Sequence, residues 1–247
     1  MARTTVLGAF DHGIYGALER VSDHIAVPEA GKPRQILWKI YSKRSLLCAG
    51  ATERPIAFEN NDRPGIMLAG AMRSYANRWA VTAAHNIAIF TNNDDGHKTA
   101  TDLHAAGVSI AAVVDIRQNA PPSQDYEVIA GGQVVNSTGR LGLTSIDISL
   151  PDGSRRTLPC GALGMSGGWN PNIHITSHHR GHPVWNEEIA AFGPPDNGPV
   201  GLSVAGAALG NFTTAGALAS GSSKANTILK NLGIKENKLA LPLAEDA

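Results

Sequence analysis

The chain has 247 residues, enough for one α/β domain or two smaller ones with a packed core. Lysine plus arginine equals aspartate plus glutamate at 21 each, the pI is near 7.1, and no basic block occurs, which argues against nucleic acid and anionic membrane as partners. Two cysteines, Cys48 and Cys160, are too few for a disulfide framework; each lies in an apolar stretch where a small buried thiol would pack, which fits a reducing cytoplasm.

The N-terminal "MARTTVLGAF" has no apolar core of signal-peptide length before Asp11 and His12 interrupt it. Thr4 to Phe10 and Ile14 to Ile25 flank a "DHG" turn, and "RQILWKIYSKRSLLCAG" alternates at Ile36, Trp38 and Ile40. This period of two predicts antiparallel strands, the last ending at Gly50. In "DRPG", Pro sits at the second turn position and Gly at the third, the chemistry of a type II bend. From Ile66 or Met67 to Trp79 the spacing of Met67, Ala71, Tyr75 and Trp79 predicts a helix.

The clearest unit is "NIAIFTNNDDGHKTATDLHAAGVSIAAVVDIR". It reads as an apolar strand at Ile87 to Phe90, a helix from about Lys98 to Ala106 stopped by Gly107, and a second strand from Val108 to Val114 before Asp115. That order predicts a parallel βαβ unit, half of a Rossmann-type nucleotide fold. Its turn, "TNNDDGH", keeps only Gly96 of the glycines that let backbone amides approach a pyrophosphate. Asp94 and Asp95 are expected to cap the helix where a phosphate would sit and to repel it, so this half is expected to be a scaffold without tight nucleotide binding. Asp115 lies near the distance of a ribose-binding carboxylate, but a strand-end residue facing solvent is the favoured reading.

Alternation returns in "GGQVVNSTG", "LTSIDISL" and "RRTLPCGALGMSGG", with "PDG" at Pro151 to Gly153 as a hairpin signal. A short strand in "VGLSVAG" follows, then a helix from Thr213 or Thr214 interrupted around Gly221; the tail "NKLALPLAEDA" is read as loop. The uncharged stretch from Asn197 to Ser223 is too rich in Gly, Ser, Thr and Asn to be a membrane span. "HITSHHRGH" brings His174, His178, His179 and His182 close, but its β-branched, Gly and Pro neighbours favour a surface loop over a zinc-binding helix face. Ser166 in "GMSGG" formally satisfies G-x-S-x-G, yet "WNPN" does not start the helix a nucleophile elbow needs. Glu53 and Arg54 read as an ion-pairing crossover between domains.

The strings "RTTVLGAFDHGIYGALERVSDH", "LLCAGATERPIAFENNDRPGIMLAGAMRSYANRWAV", "MSGGWNPNIHITSHHRGHPVWNE" and "VAGAALGNFTTAG", with the βαβ segment, resemble the alpha subunits of heterotetrameric sarcosine oxidase. The resemblance runs from Arg3 to about Lys230 and implies an α/β fold of the FAD/NAD(P)-binding type with two dinucleotide (Rossmann-like) domains and antiparallel meanders. It divides the chain into residues 1–55, the closing part of the first dinucleotide domain; 56–165, the second; and 166–247, a return to the first and the tail. The first domain is then incomplete, because no strand with a "GxGxxG" turn precedes Thr4. In such a fold Gly50 and Ala51 match a step where the backbone approaches the dinucleotide, and Glu53, Arg54 and Pro55 redirect the chain. Gly206 and Ala207 match an "AGA" step leading to a helix whose N-terminal amides face the pyrophosphate, with Phe212 and Thr214 in the following turn. The resemblance implies oxidative demethylation of sarcosine at a flavin, with oxygen as acceptor and folate taking the one-carbon unit. It places NAD, with FAD as the alternative, on this subunit, the reacting flavin on a partner beta subunit, and no catalytic residue or metal ligand in this chain. The alternatives are a scaffold or subunit-interaction protein with a vestigial nucleotide fold, and a subunit of an opine or amino-acid dehydrogenase complex.

Overall fold

The computed structural model describes residues 1–236 and 240–244. Residues 237–239 and 245–247 of the tail read as loop lie outside the described residues, and 240–244 between them have no regular structure. The chain forms two compact units, Glu53–Trp169 and a second built from Met1–Thr52 with the described residues from Asn170 onward.

The split unit opens with the antiparallel meander expected from alternation: β1 (Thr4–Phe10), β2 (Ile14–Arg20) and β3 (Gln35–Tyr41), in that spatial order. A short β4 (Ser45–Leu47) follows, and β5 (Ala51–Glu53) carries the chain into the inserted unit. There the bend is the expected one: Ile66 N–H donates to Arg63 O at 3.1 Å, with Pro64 and Gly65 between them and Gly65 at φ +101°. It leads into β6 (Ile66–Leu68), so Met67 is strand, and α1 (Ala69–Trp79) begins only after it.

The βαβ unit is present as β7 (Asn86–Thr91), α2 (Asp94–Ala105) and β8 (Ser109–Asp115), with β7 and β8 parallel. Helix α2 starts four residues before the Lys98 expected from periodicity, because Asn93 caps it: Asp95 N–H donates to Asn93 Oδ1 at 3.0 Å. The meander after β9 (Val128–Ala130) comprises β10 (Gln133–Thr138), β11 (Ser145–Ser149) and β12 (Arg155–Pro159), antiparallel throughout. Its hairpin turns at Gly153, whose N–H donates to Leu150 O at 3.0 Å.

β13 (Ala162–Ser166) departs from the expected alternation. All five of its residues are buried, and it runs parallel between β6 and β7, giving the five-stranded order β6-β13-β7-β8-β9. A strand covered on both faces has no polar face to alternate with. Side chains of β7 alternate across this sheet. Ala88 and Phe90 pack with Val134, Ile146, Ile148 and Leu158 of the meander, while Ile87 and Ile89 pack with Ala69 and Met72 of α1 and Ala100 and Leu103 of α2. The inserted unit is therefore meander, sheet and helices in three layers, with each fully buried Ile, Leu or Phe contributing roughly 1.5–3 kcal/mol.

The chain returns through β14 (Trp169–Pro171), a kinked 3-10 segment at His174–Arg180, the hairpin β15 (Val184–Asn186) and β16 (Ala191–Gly193), and β17 (Leu202–Val204). A 3-10 turn at Gly206–Leu209 leads to α3 (Thr214–Asn231), which runs unbroken through Gly221. β17 lies parallel to β4. Among the described residues no helix is long and apolar enough to cross a membrane.

Candidate functional site

Ligands of open parallel sheets collect at the carboxyl ends of the strands, and each unit has such an edge. In the split unit β4 and β17 end side by side, with Leu47 opposite Val204 and Ala205 N–H donating to Leu47 O at 3.0 Å. Gly50 and Ala51 follow the first strand and Gly206 and Ala207 the second, so the fold brings the two expected steps to one edge. Gly50 has φ +74°, and a Cβ there would meet nothing within 4 Å. A glycine beside open space permits a close ligand approach, a property shared with the turns at Gly31, Gly107, Gly153 and Gly233. Gly206 is buried at φ +68°, and its amide is engaged, donating to Ser220 Oγ of α3 at 3.2 Å. Phe212 is exposed just before the N-cap Thr213, whose hydroxyl accepts from Gly216 N–H at 3.1 Å, and Thr214 is the first residue of α3.

The Gly50 turn is fastened by Asn172, which sequence reasoning passed over. Asn172 N–H donates to Gly50 O at 3.0 Å, its Nδ2 donates to Ala49 O at 3.0 Å, and its Oδ1 accepts from Thr52 Oγ1 at 2.9 Å. No motif points to Asn172; a polar residue between Pro171 and Ile173 is the only local signal.

The edge of the inserted unit is built from carboxylates. Glu53 is 8% exposed and accepts from Gly70 N–H in the first turn of α1 at 2.8 Å. Burial pushes its carboxyl above the ordinary range, against hydrogen bonds from the Gly70 amide and the Ser166 hydroxyl, and the nearby Asp95 charge adds to the rise. In place of the expected ion-pairing crossover with Arg54, Glu53 is a buried group whose carboxylate accepts from the first turn of α1. Ser166 is fully buried at the end of β13, and the chain continues into β14 without entering a helix.

At α2, Asn93 makes the cap expected of Asp94 and Asp95, which occupy the first turn beside it. Asp94 pairs with Arg117 at 2.8 Å, and Asp95 Oδ2 accepts from Trp169 Nε1 at 2.5 Å. Asp115, expected to face solvent, is completely buried. It contacts His97 Nε2 at 2.8 Å and accepts from Arg117 N–H and Nη2, each at 2.8 Å. Burial pushes this carboxyl up, but the Arg117 and His97 hydrogen bonds outweigh it and hold the group below the ordinary carboxylate range. Arg117 pairs with both Asp94 and Asp115, His97 contacts Asp115, and Arg54 donates to Gly167 O at 3.0 Å just past the end of β13. The carboxylates in the first turn of α2 disfavour a phosphate there, whereas the Gly50 turn of the split unit has open space beside it.

Cys48 is exposed, contrary to expectation, because β4 ends at Leu47 and leaves the thiol outside the strand; Cys160 is buried, and burial pushes its thiol up to about 11. His178 accepts from Ala9 N–H at 3.0 Å and His179 lies 3.2 Å from Asp11. The histidine segment is therefore tied to β1 and the turn after it.

The chain is 40% identical over 238 residues to sarcosine oxidase subunit alpha of Rhizobium meliloti (strain 1021), and 38% identical over 235 residues to that of Corynebacterium sp. (strain P-1). These alignments cover 95% and 90% of this chain and 24% of each relative, so the chain spans about a quarter of the length of the curated relatives it matches. The resemblance seen in the sequence thus holds along nearly the whole chain. No family model matches. Among solved structures, L-proline dehydrogenase from P. horikoshii superposes with a TM-score of 0.66 at 21% identity, covering 95% of this chain and 42% of that one. Thioredoxin reductase of Lactococcus lactis superposes at 0.64 and 12% identity, covering 92% and 73%. The expected α/β fold with a parallel sheet is the fold shared with these oxidoreductases.

Proposed function

We propose, from the similarity of this chain to a quarter-length stretch of sarcosine oxidase subunit alpha, that it forms the dinucleotide-binding part of such a subunit. In this reading the split unit is the closing portion of a first dinucleotide domain and the inserted unit is a second Rossmann-like domain used as scaffold. NAD, with FAD as the alternative, lies against the Gly50–Ala51 step and the Gly206–Ala207 turn, with Phe212 and Thr214 beside it. The dinucleotide supplies redox chemistry when bound; the residues here receive and orient it. The complex carries out oxidative demethylation of sarcosine in the cytoplasm, with oxygen and folate as acceptors, at a flavin held by a partner beta subunit.

The observation that carries this reading is the side-by-side ending of β4 and β17, which places a left-handed Gly50 with open space at one edge with Gly206. Its test is to scan the absorbance of the purified chain, denature it, and identify released dinucleotide by mass spectrometry. Stoichiometric NAD or FAD is the expected result. A folded sample that releases none, and takes up none on addition, would overturn it. The carboxylate-filled edge at Glu53, Asp94 and Asp95 favours the scaffold alternative for the inserted unit, and that outcome would extend it to the whole chain.

A further inference from the structure

We infer that Asn172 is a positioning residue for dinucleotide binding, aiming the peptide N–H groups of Gly50 and Ala51 at the ligand; this rests on the function proposed above. A trans peptide holds its C=O and N–H in one plane, pointing in opposite directions. The Ala49 carbonyl is drawn to Asn172 Nδ2 and the Gly50 carbonyl to Asn172 N–H, both at 3.0 Å. The Gly50 and Ala51 N–H groups, which share those two peptide planes, are therefore turned away from Asn172. Gly50 at φ +74° sits between the two planes, and successive N–H groups around a left-handed residue form a concavity suited to anionic oxygen.

Asn172 is chemically matched to this task. Its amide has a donor for the Ala49 carbonyl and an acceptor for the Thr52 hydroxyl, so one planar side chain fixes both ends of the turn, more than a hundred residues away in sequence. A carboxylate could accept from Thr52 but would repel the Ala49 carbonyl. The ligand class is the pyrophosphate-bearing part of a dinucleotide, for which backbone donors are a fitting recognition element.

The test uses the full chain with NAD and FAD, following affinity by calorimetry and folding by thermal melting. Asn172→Ala should weaken binding about tenfold, the equivalent of about 1.4 kcal/mol, and Asn172→Asp by at least as much. Thr52→Val should weaken it a few-fold, and Thr52→Ser, which keeps the hydroxyl, should bind as the wild type does. That rescue distinguishes aiming of the turn from general loosening, and the Thr52 pair decides the matter should Asn172→Ala not fold. Equal affinity in wild type, Asn172→Ala and Thr52→Val would overturn the role of Asn172 and leave the proposed function standing. A wild type that binds neither dinucleotide would overturn both.

Discussion

Replacing Gly96 by alanine tests whether the βαβ unit depends on close helix-to-strand contact. A methyl at Gly96 would lie 2.4 Å from both Cβ and Oγ1 of Thr91 and 2.9 Å from its Cγ2. Ordinary carbon contacts fall at about 3.5–4 Å, so α2 would have to retreat by roughly 1 Å from a sheet packed on both faces. Thr91 cannot swing aside, since it is fully buried and its hydroxyl both accepts from Asn93 N–H at 3.1 Å and donates to Ser166 O at 3.1 Å. Overpacking of this kind costs up to about 3 kcal/mol, and disturbing a buried hydrogen bond adds about 1 kcal/mol. Alanine returns about 1 kcal/mol through helix propensity, leaving a net loss near 3 kcal/mol. Urea unfolding followed by circular dichroism should show the midpoint falling by about 1–2 M at an ordinary m-value. Gly221→Ala is the control of opposite sign: it lies within α3 where a Cβ meets nothing within 4 Å, so it should stabilise by about 0.5–1 kcal/mol. A Gly96→Ala chain within 0.5 kcal/mol of wild type, or two substitutions that shift stability in the same direction, would refute the packing argument.

Glu53→Gln should raise the melting midpoint at pH 7, and the gain should vanish as the pH falls towards about 4. The folded carboxyl titrates above its unfolded value, so its stabilising contribution is complete below the unfolded pKa and is lost as pH rises through the folded one. Melting curves for both proteins across that range check the sign. Asp115 has the opposite sign, since its folded carboxyl titrates below the unfolded value: its stabilisation is present above the unfolded pKa and is lost as pH falls through the folded one. Asp115→Asn should cost about 2 kcal/mol at neutral pH, less than a fully buried broken pair because Arg117 keeps Asp94 and some water; urea titration at neutral and acid pH measures both effects. Thiol titration with Ellman's reagent should find Cys48 reacting promptly in the native protein and Cys160 only on unfolding.

The elements with an exposed face were legible because their period was visible. β1 came out with the expected bounds, Thr4–Phe10, and the βαβ unit was readable from two apolar runs around a polar turn and Gly107. β13 was not, since "ALGMS" is buried on both faces and follows directly on a meander whose rhythm it breaks. The unbroken course of α3 through Gly221 shows a tolerated helix-interior glycine being read as a stop. At the candidate site, the glycine steps could be matched by type and neighbours, but their support could not. Asn172 reaches Ala49, and His97 reaches Asp115, through contacts that only the folded chain creates. Asp115 looked solvent-facing for the same reason: Arg117 is only two residues on, but nothing local announces that His97 of α2 will close over it.

The two strand-end edges have opposite electrostatic character, and that contrast follows from where carboxylates sit. A helix N-terminus has unsatisfied amides and a positive dipole end, and it attracts whichever anion is nearest. In the inserted unit the chain provides the anions itself: Glu53 at α1, with Asp94 and Asp95 at α2 beside the Asn93 cap. Asp94 and Asp95 favour the α2 end without a ligand, whereas burial disfavours the charged form of Glu53 at α1. At the edge of the split unit, α3 has no acidic residue in its first turn, and its cap is the uncharged Thr213 hydroxyl. That helix end therefore carries no fixed negative charge that would oppose an anionic oxygen. An anionic ligand would therefore meet fixed carboxylates at the α2 end and an uncharged helix end at α3.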